Sequence, residues 1–410
     1  MAPEILLIST LDTKAEETNY LRRKMEQGGA RVQVMDLSMG TASGEPCEIP
    51  PEEVAAAAGW SIEDIRASRE RSKITSAMIQ GAVAIASQRF AQGQLSAVVG
   101  LGGSTGSLMA SEVMRALPFG LGKLMVSSTA ALPGLATRYI DTGDLLLFHT
   151  VVEIAGLTPL LMSILDRAAA VAAGLAGVPA LTPEAARGTG GHLVALSMFG
   201  PSEHAAQGVR RRLEEAGLQV IGFSAAGVCD RAMEDMIAEG YFSGVVDLTP
   251  GGVGEFILQG MRSAGPHRLE AAGRLGIPQV VAPAGVNLMS PRKSRYKPDY
   301  HKRRKYDLDK LRTFLRLNTD ELREVARAFA AKLNQATGPV AFLIPTQGWC
   351  SFDCEGGEVY APEEDRAFTE ELIKNLKPGV SMLEVEANLE DPIFADAVAD
   401  AYLSLIGESP

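Results

Sequence analysis

Val98-Val99-Gly100-Leu101-Gly102-Gly103-Ser104-Thr105-Gly106-Ser107 decides how this chain reads. An apolar run, Leu95 to Val99, ends in glycines. Small hydroxyl residues follow, and Leu108 to Leu117 carries a helical pattern. Strand, glycine turn and helix in that order make a cradle for an anionic group. Glycines let the backbone approach closely, the helix start offers unpaired N–H groups, and Ser104, Thr105 and Ser107 add hydroxyl donors. The order lacks the Gly-Lys-Ser/Thr ending of a P-loop and is not a GxGxxG fingerprint. The competing reading is a tight β–α turn whose glycines serve only helix–sheet packing.

Outward from this turn the same grammar repeats. Upstream, Glu4 to Ser9 reads as a buried strand and Thr10-Leu11-Asp12-Thr13-Lys14 as a polar turn. Thr13 is a candidate N-cap for a helix ended by Gly28-Gly29, and Arg31 to Leu37 is the next strand. Such β–α–β units imply a parallel sheet, whose carboxyl edge is where open α/β sheets bind ligands. Ser61 caps a short helix. Arg69 to Lys73 is a charge run ahead of a long helix, Ile74 to Gln92; it reads either as a solvated face or, through Arg71 and Lys73, as a reach toward a phosphate. Downstream, Leu124 to Val126 closes on Ser127-Ser128-Thr129, a second hydroxyl-rich strand end. Leu145 to Gly156 reads as a helix capped by Asp144, with His149 and Glu153 four apart on one face.

The chain has 410 residues and a net charge of −11, with 46% hydrophobic and 22% charged residues. That is enough for two or more domains with large cores, and the charge opposes general nucleic-acid binding. The first residues lack the basic region and long apolar core of a signal peptide, and no apolar run approaches a membrane span. Four cysteines suggest no disulfide framework, so the expected location is cytoplasmic. A composition change at Leu181 to Gly191 marks a boundary between domains 1–182 and 191–410. The second half restarts the strand–helix alternation, so the expected fold is α/β, with two Rossmann-like subdomains, mainly parallel sheets and an interdomain cleft. No residue-level repeat supports duplication.

Arg292 to Lys305 holds eight Lys/Arg in fourteen residues, an anomaly on an acidic chain. It reads as an exposed loop or as a surface for an anionic ligand or acidic partner. Asn318 with Glu321 forms a capping box. Cys350 and Cys354 lack a nearby second ligand pair, and a nucleophilic Cys350 lacks an identifiable base.

Several stretches together resemble one family. Ile8-Ser-Thr-Leu-Asp-Thr-Lys14 with Glu17, Gly100 to Gly106, and His149-Thr-Val-Val-Glu-Ile-Ala-Gly-Leu157 are similar to UPF0261 motifs. So are Arg231-Ala-Met-Glu234, Ser263 to Pro266, Arg268 to Gly273 and Gly276 to Val280. These are the Tm-1-like ATP-binding proteins, related to the N-terminal region of a tomato mosaic virus resistance protein. The resemblance implies ATP with magnesium in the N-terminal domain, and a homodimer. Carried over by motif, the nucleotide would contact Thr10, Asp12, Thr13 and Lys14, then Gly102, Gly103, Ser104 and Thr105, then Ser127, Ser128 and Thr129. Three features depart from the pattern: Glu153 stands for the usual Asp, Trp349-Cys350 replace small aliphatic residues, and Arg292 to Lys305 is an insert.

The expectation is therefore a nucleotide-binding protein. One form is an enzyme acting on a small phosphorylated or anionic substrate, with Asp144 and Glu153 holding metal and His149 as the acid/base. The alternatives are a nucleotide sensor or partner-binding protein without turnover, or a glycine turn that holds a sugar phosphate or carboxylate.

Overall fold

The computed structural model describes residues 2–41, 44–188, 191–310 and 312–407. It divides into two compact units, 1–182 and 183–410. Thr189 and Gly190, in the expected linker, lie outside the described residues.

The first unit is built on five parallel strands: β1 (Glu4–Ser9), β2 (Arg31–Asp36), β3 (Ala97–Gly102), β4 (Gly122–Ser127) and β5 (Leu146–His149), in the order β2-β1-β3-β4-β5. Successive side chains point to opposite faces, so along β1 Leu6 and Ile8 enter one core while Ile5 and Leu7 enter the other. β3 is buried along its whole length, as expected of a strand covered by helices on both faces. The order 2-1-3-4-5 is a doubly wound order, with its switch point between β1 and β3. The turns after those two strands therefore flank the place where such sheets bind ligands.

The second unit carries β6 (Leu193–Met198), β7 (Gln219–Ser224), β8 (Gly244–Asp247), β9 (Gln279–Val281), β10 (Leu288–Met289), β11 (Lys305–Asp307), β12 (Thr313–Arg316), β13 (Val340–Pro345) and β14 (Val380–Val385). Six of these form a parallel sheet ordered β14-β13-β9-β8-β6-β7. From the other side this is again 2-1-3-4-5, with one strand added and the switch point between β6 and β8. β10, β12 and β11 form a separate antiparallel sheet. The two units thus share a winding order that the residues did not disclose.

Several expectations hold locally. Ser61 accepts from Asp64 N, and Asn318 and Glu321 form a reciprocal capping box. Others are corrected. The helix Leu11–Gln27 has its N-cap at Thr10 rather than Thr13, and it kinks at Lys14 (φ −133°, ψ 22°). No helix spans 145–156: Leu146–His149 is a strand and 150–158 is loop. The apolar alternatives were ambiguous over so short a run, and pairing with β4 selects the strand. The helix Pro159–Ala176 is, by length and composition only, long and apolar enough to cross a membrane. Its Leu161, Leu165, Ala168 and Ala172 pack into the core against β3 and β4.

Candidate functional site

Three turns meet at the carboxyl edge of the first sheet. Gly102 ends β3, Gly103 (φ −81°, ψ −157°) is the N-cap, and Ser104–Arg115 is helical. The two preceding glycines are there for packing. A Cβ on Gly100 would meet Met125 Sδ at 2.6 Å and Ala110 Cβ at 2.8 Å, and one on Gly102 would meet the Gly106 backbone at 3.0 Å. Gly103 differs: the nearest atom to its Cβ would be Ser128 Oγ at 3.8 Å. The glycines of the turn thus divide: Gly100 and Gly102 are packed closely, and Gly103 has open space beside it.

The hydroxyl residues divide in the same way. Ser107 is fully buried, bonding the Gly102 carbonyl (3.1 Å) and Ser127 Oγ (2.7 Å). Ser127 Oγ in turn accepts from Thr129 N at 3.1 Å, and Thr129 Oγ1 bonds Tyr139 OH at 2.9 Å. Ser9 Oγ donates to the Leu101 carbonyl and accepts from Thr18 Oγ1. These groups lock the turns together. Ser104, Thr105 and Ser128 remain on the accessible side, where Ser104 and Thr105 are exposed. The first turn of Ser104–Arg115 contains no acidic residue, so its positive end is not neutralised from within.

The Thr10–Lys14 turn lies alongside. Thr13 N and Lys14 N donate to the Thr10 carbonyl, and Thr10 Oγ1 is 3.9 Å from where a Gly106 Cβ would stand. Asp36, at the end of β2, is consumed in holding this turn: its Oδ1 accepts from Leu11 N and Ser38 N, both at 2.9 Å. Burial raises its carboxyl above the usual range, against the pull of those bonds. Asp12 Oδ2 accepts from Gly40 N at 3.2 Å.

Arg71 and Lys73 open the helix Arg71–Ala91 and are exposed. Thr75 Oγ1 reaches Met39 Sδ (3.8 Å), beside the Gly40 that binds Asp12, so this helix starts on the same edge. Lys73 Nζ stands 5.3 Å from the Trp60 ring centroid.

The metal pair is corrected. Glu153 is at the turn, with Oε2 3.2 Å from Ser128 Oγ. Asp144 is not: it precedes β5 and pairs with Lys123 at the amino edge, about 17 Å along the strand direction from His149. Among the described residues, no group of three or more His, Cys, Asp or Glu could hold a metal ion. A cation held by one carboxylate and by ligand phosphates needs no such group, and Glu153 suits that role. His149 ends β5, exposed, with Nδ1 3.4 Å from the Ser127 carbonyl. It shares an edge with Glu153 through strand and loop.

Between them lies a feature no sequence pattern announced. Val151 has φ +66° and is 77% exposed. A β-branched residue in the left-handed region is strained, and Glu17 holds the loop from beneath, its Oε1 accepting from Gly156 N at 2.6 Å.

The comparisons follow this geometry. Residues 3–180 match the Uncharacterised protein family (UPF0261) N-terminal domain, and residues 191–406 match its C-terminal domain. The chain belongs to the UPF0261 family. A UPF0261 protein of Clostridium tetani is 34% identical over 99% of this chain and 100% of its own. The ToMV resistance protein Tm-1(GCR237) of Solanum lycopersicum is 28% identical over 100% of this chain, which spans 56% of that protein. Among solved structures, the S. aureus MnaA-UDP co-structure covers 100% of this chain and 99% of its own at 13% identity, with a TM-score of 0.24. A UDP-N-acetylglucosamine 2-epimerase structure covers 68% and 79% at 11% identity, with a TM-score of 0.23. Likenesses this weak support nothing further about the chain.

Two charged residues of the second unit's UPF0261 motifs, Glu234 and Arg268, join one buried ion cluster. Arg268 is 1% exposed and holds Asp230, Glu234 and Asp247 together. Glu234 also accepts from Leu269 N and Ala271 N. Cys350 is buried beside Leu288, Phe314 and Val359, and burial pushes its thiol up to about 12, which disables it as a nucleophile.

Proposed function

We propose that this UPF0261 protein binds a nucleotide, ATP with magnesium, through the first unit's glycine turn. The observation that carries this is the start of helix Ser104–Arg115: opened by Gly103, free of acidic residues, and set at the β1/β3 switch point. The turn's N–H groups and the Ser104 and Thr105 hydroxyls would hold phosphate oxygens. Ser128 and the Thr10–Lys14 turn would flank them, with Arg71 and Lys73 adding charge.

Glu153 explains the need for a cation. A carboxylate 3.2 Å from Ser128 Oγ repels a polyphosphate unless positive charge lies between. Magnesium would supply that charge, with Glu153 as its protein ligand. If the nucleotide is turned over, His149 is the acid/base on this edge; if it is not, the protein is a sensor. We take the protein to be a cytoplasmic homodimer; its four free cysteines suit a reducing compartment.

The test is calorimetric titration of the full chain with ATP, with and without magnesium, beside a phosphate-release assay. Binding strengthened by magnesium is expected. Absence of binding under both conditions overturns the reading, and release separates enzyme from sensor.

A further inference from the structure

We propose that the second unit has a ligand site of its own, for a flat-ringed organic anion, at the carboxyl edge of β6 and β7. A cavity of about 590 Å³ opens there, within the roughly 300–1,000 Å³ of small-molecule sites. The second sheet repeats the winding order of the first, and its switch point, between β6 and β8, adjoins this edge at the end of β6. Residues after β6 and β7 form one side, and the antiparallel sheet bearing Tyr306 and Phe314 forms the other.

The chemistry of the lining sets the ligand class. The Arg262 guanidinium packs against two rings, 4.7 Å from the Phe199 centroid and 4.8 Å from that of Phe314. Its Nε donates to Glu255 Oε1 (3.0 Å) and Ser290 Oγ (3.2 Å), which fixes one edge of the fork. Glu255 is fully buried and is itself held by Ser290 N at 2.8 Å. Nη2 also lies 2.9 Å from Glu255 Oε1, and Nη1 is bonded by none of the described residues. Arg312 also lines the wall, with its Nη2 2.7 Å from Asp309 Oδ2, and no Asp or Glu is among the described lining residues.

The rings supply the flat surface. Tyr306 stacks on Phe352 with centroids 4.1 Å apart and planes 5° apart, and Phe352 stacks on Phe314 at 5.9 Å. A planar ring extends that stack, and its anionic substituent meets the arginines. The neighbouring helix Glu203–Glu215 does not compete for the anion. Glu390 already accepts from its His204 and Ala205 N–H groups.

This site is independent of the nucleotide reading, and the experiment keeps them apart. The probes are phenyl phosphate and its uncharged counterpart benzyl alcohol, titrated into the full chain with ATP and magnesium present. Arg262→Met would strand Glu255, so the variants are Arg312→Gln, which removes a charge at an exposed position, and Ala226→Trp, which fills the cavity. Phenyl phosphate is expected to bind at least about tenfold more tightly than benzyl alcohol, to lose about tenfold in Arg312→Gln, and to be lost in Ala226→Trp. Gly103→Val should leave it unchanged. Equal binding of the two probes, or indifference to both cavity variants, overturns the proposal. ATP binding that survives Gly103→Val but is lost in Ala226→Trp overturns the nucleotide reading instead and supports this cavity as an anion site.

Discussion

Asp144 Oδ1 lies 2.5 Å from the Nζ of Lys123, at the end of the first sheet opposite to the glycine turn. The lysine side chain is 1% exposed, and its other partner is the Pro118 carbonyl. Asp144 is therefore a counter-ion for a buried ammonium. Asp144→Asn should cost about 2 kcal/mol in urea denaturation, below the full value for a buried pair because Asp144 is partly solvated. It should leave nucleotide binding and its magnesium dependence untouched. Glu153→Gln should do the reverse, keeping stability and removing the magnesium-dependent gain in calorimetry.

The two adjacent glycines should part ways on substitution. Gly103 has an ordinary φ and space for a Cβ, so Gly103→Val should keep the melting temperature within a few degrees and abolish nucleotide binding. Gly102→Ala drives a methyl onto the Gly106 backbone at 3.0 Å and should destabilise by about 1–3 kcal/mol. Equal stability losses in both would assign the whole turn to packing.

Val151 stores strain beside His149 and Glu153. Val151→Gly should raise stability by about 1 kcal/mol, since glycine accepts φ +66° without a steric penalty. A fall in the urea midpoint would mean that the side chain contributes more than its exposure suggests.

The second unit should carry a pH signature from Asp365. Burial pushes its carboxyl up to about 7, with Asp353 adding repulsion and Arg316 and Asn287 opposing. The unfolded chain ionises this group from 3.8 upward while the folded chain keeps its proton. The stability it contributes is thus full below that value, falls as pH rises through the window, and levels off above about 7. Asp365→Asn should remove this slope, so the variant gains relative to wild type between pH 5 and pH 8 in urea midpoints.

The sequence by itself determined the elements that rest on local chemistry. The glycine turn after β3, the caps at Ser61 and Asn318, and the strand–helix alternation all follow from backbone conformation and side-chain patterning over a few residues. Membership in UPF0261 was likewise written in contiguous motifs. Tertiary structure decided what depends on which residues end up adjacent. Residues 145–156 suit helix or strand by pattern, and only pairing with β4 selects the strand and sends Asp144 and His149 to opposite edges. The arginine cavity assembles from segments as far apart in the chain as Phe199 and Phe352. The shared winding order is similarly silent in the residues, because a parallel sheet asks only for apolar strands and leaves their neighbours to the packing of the whole.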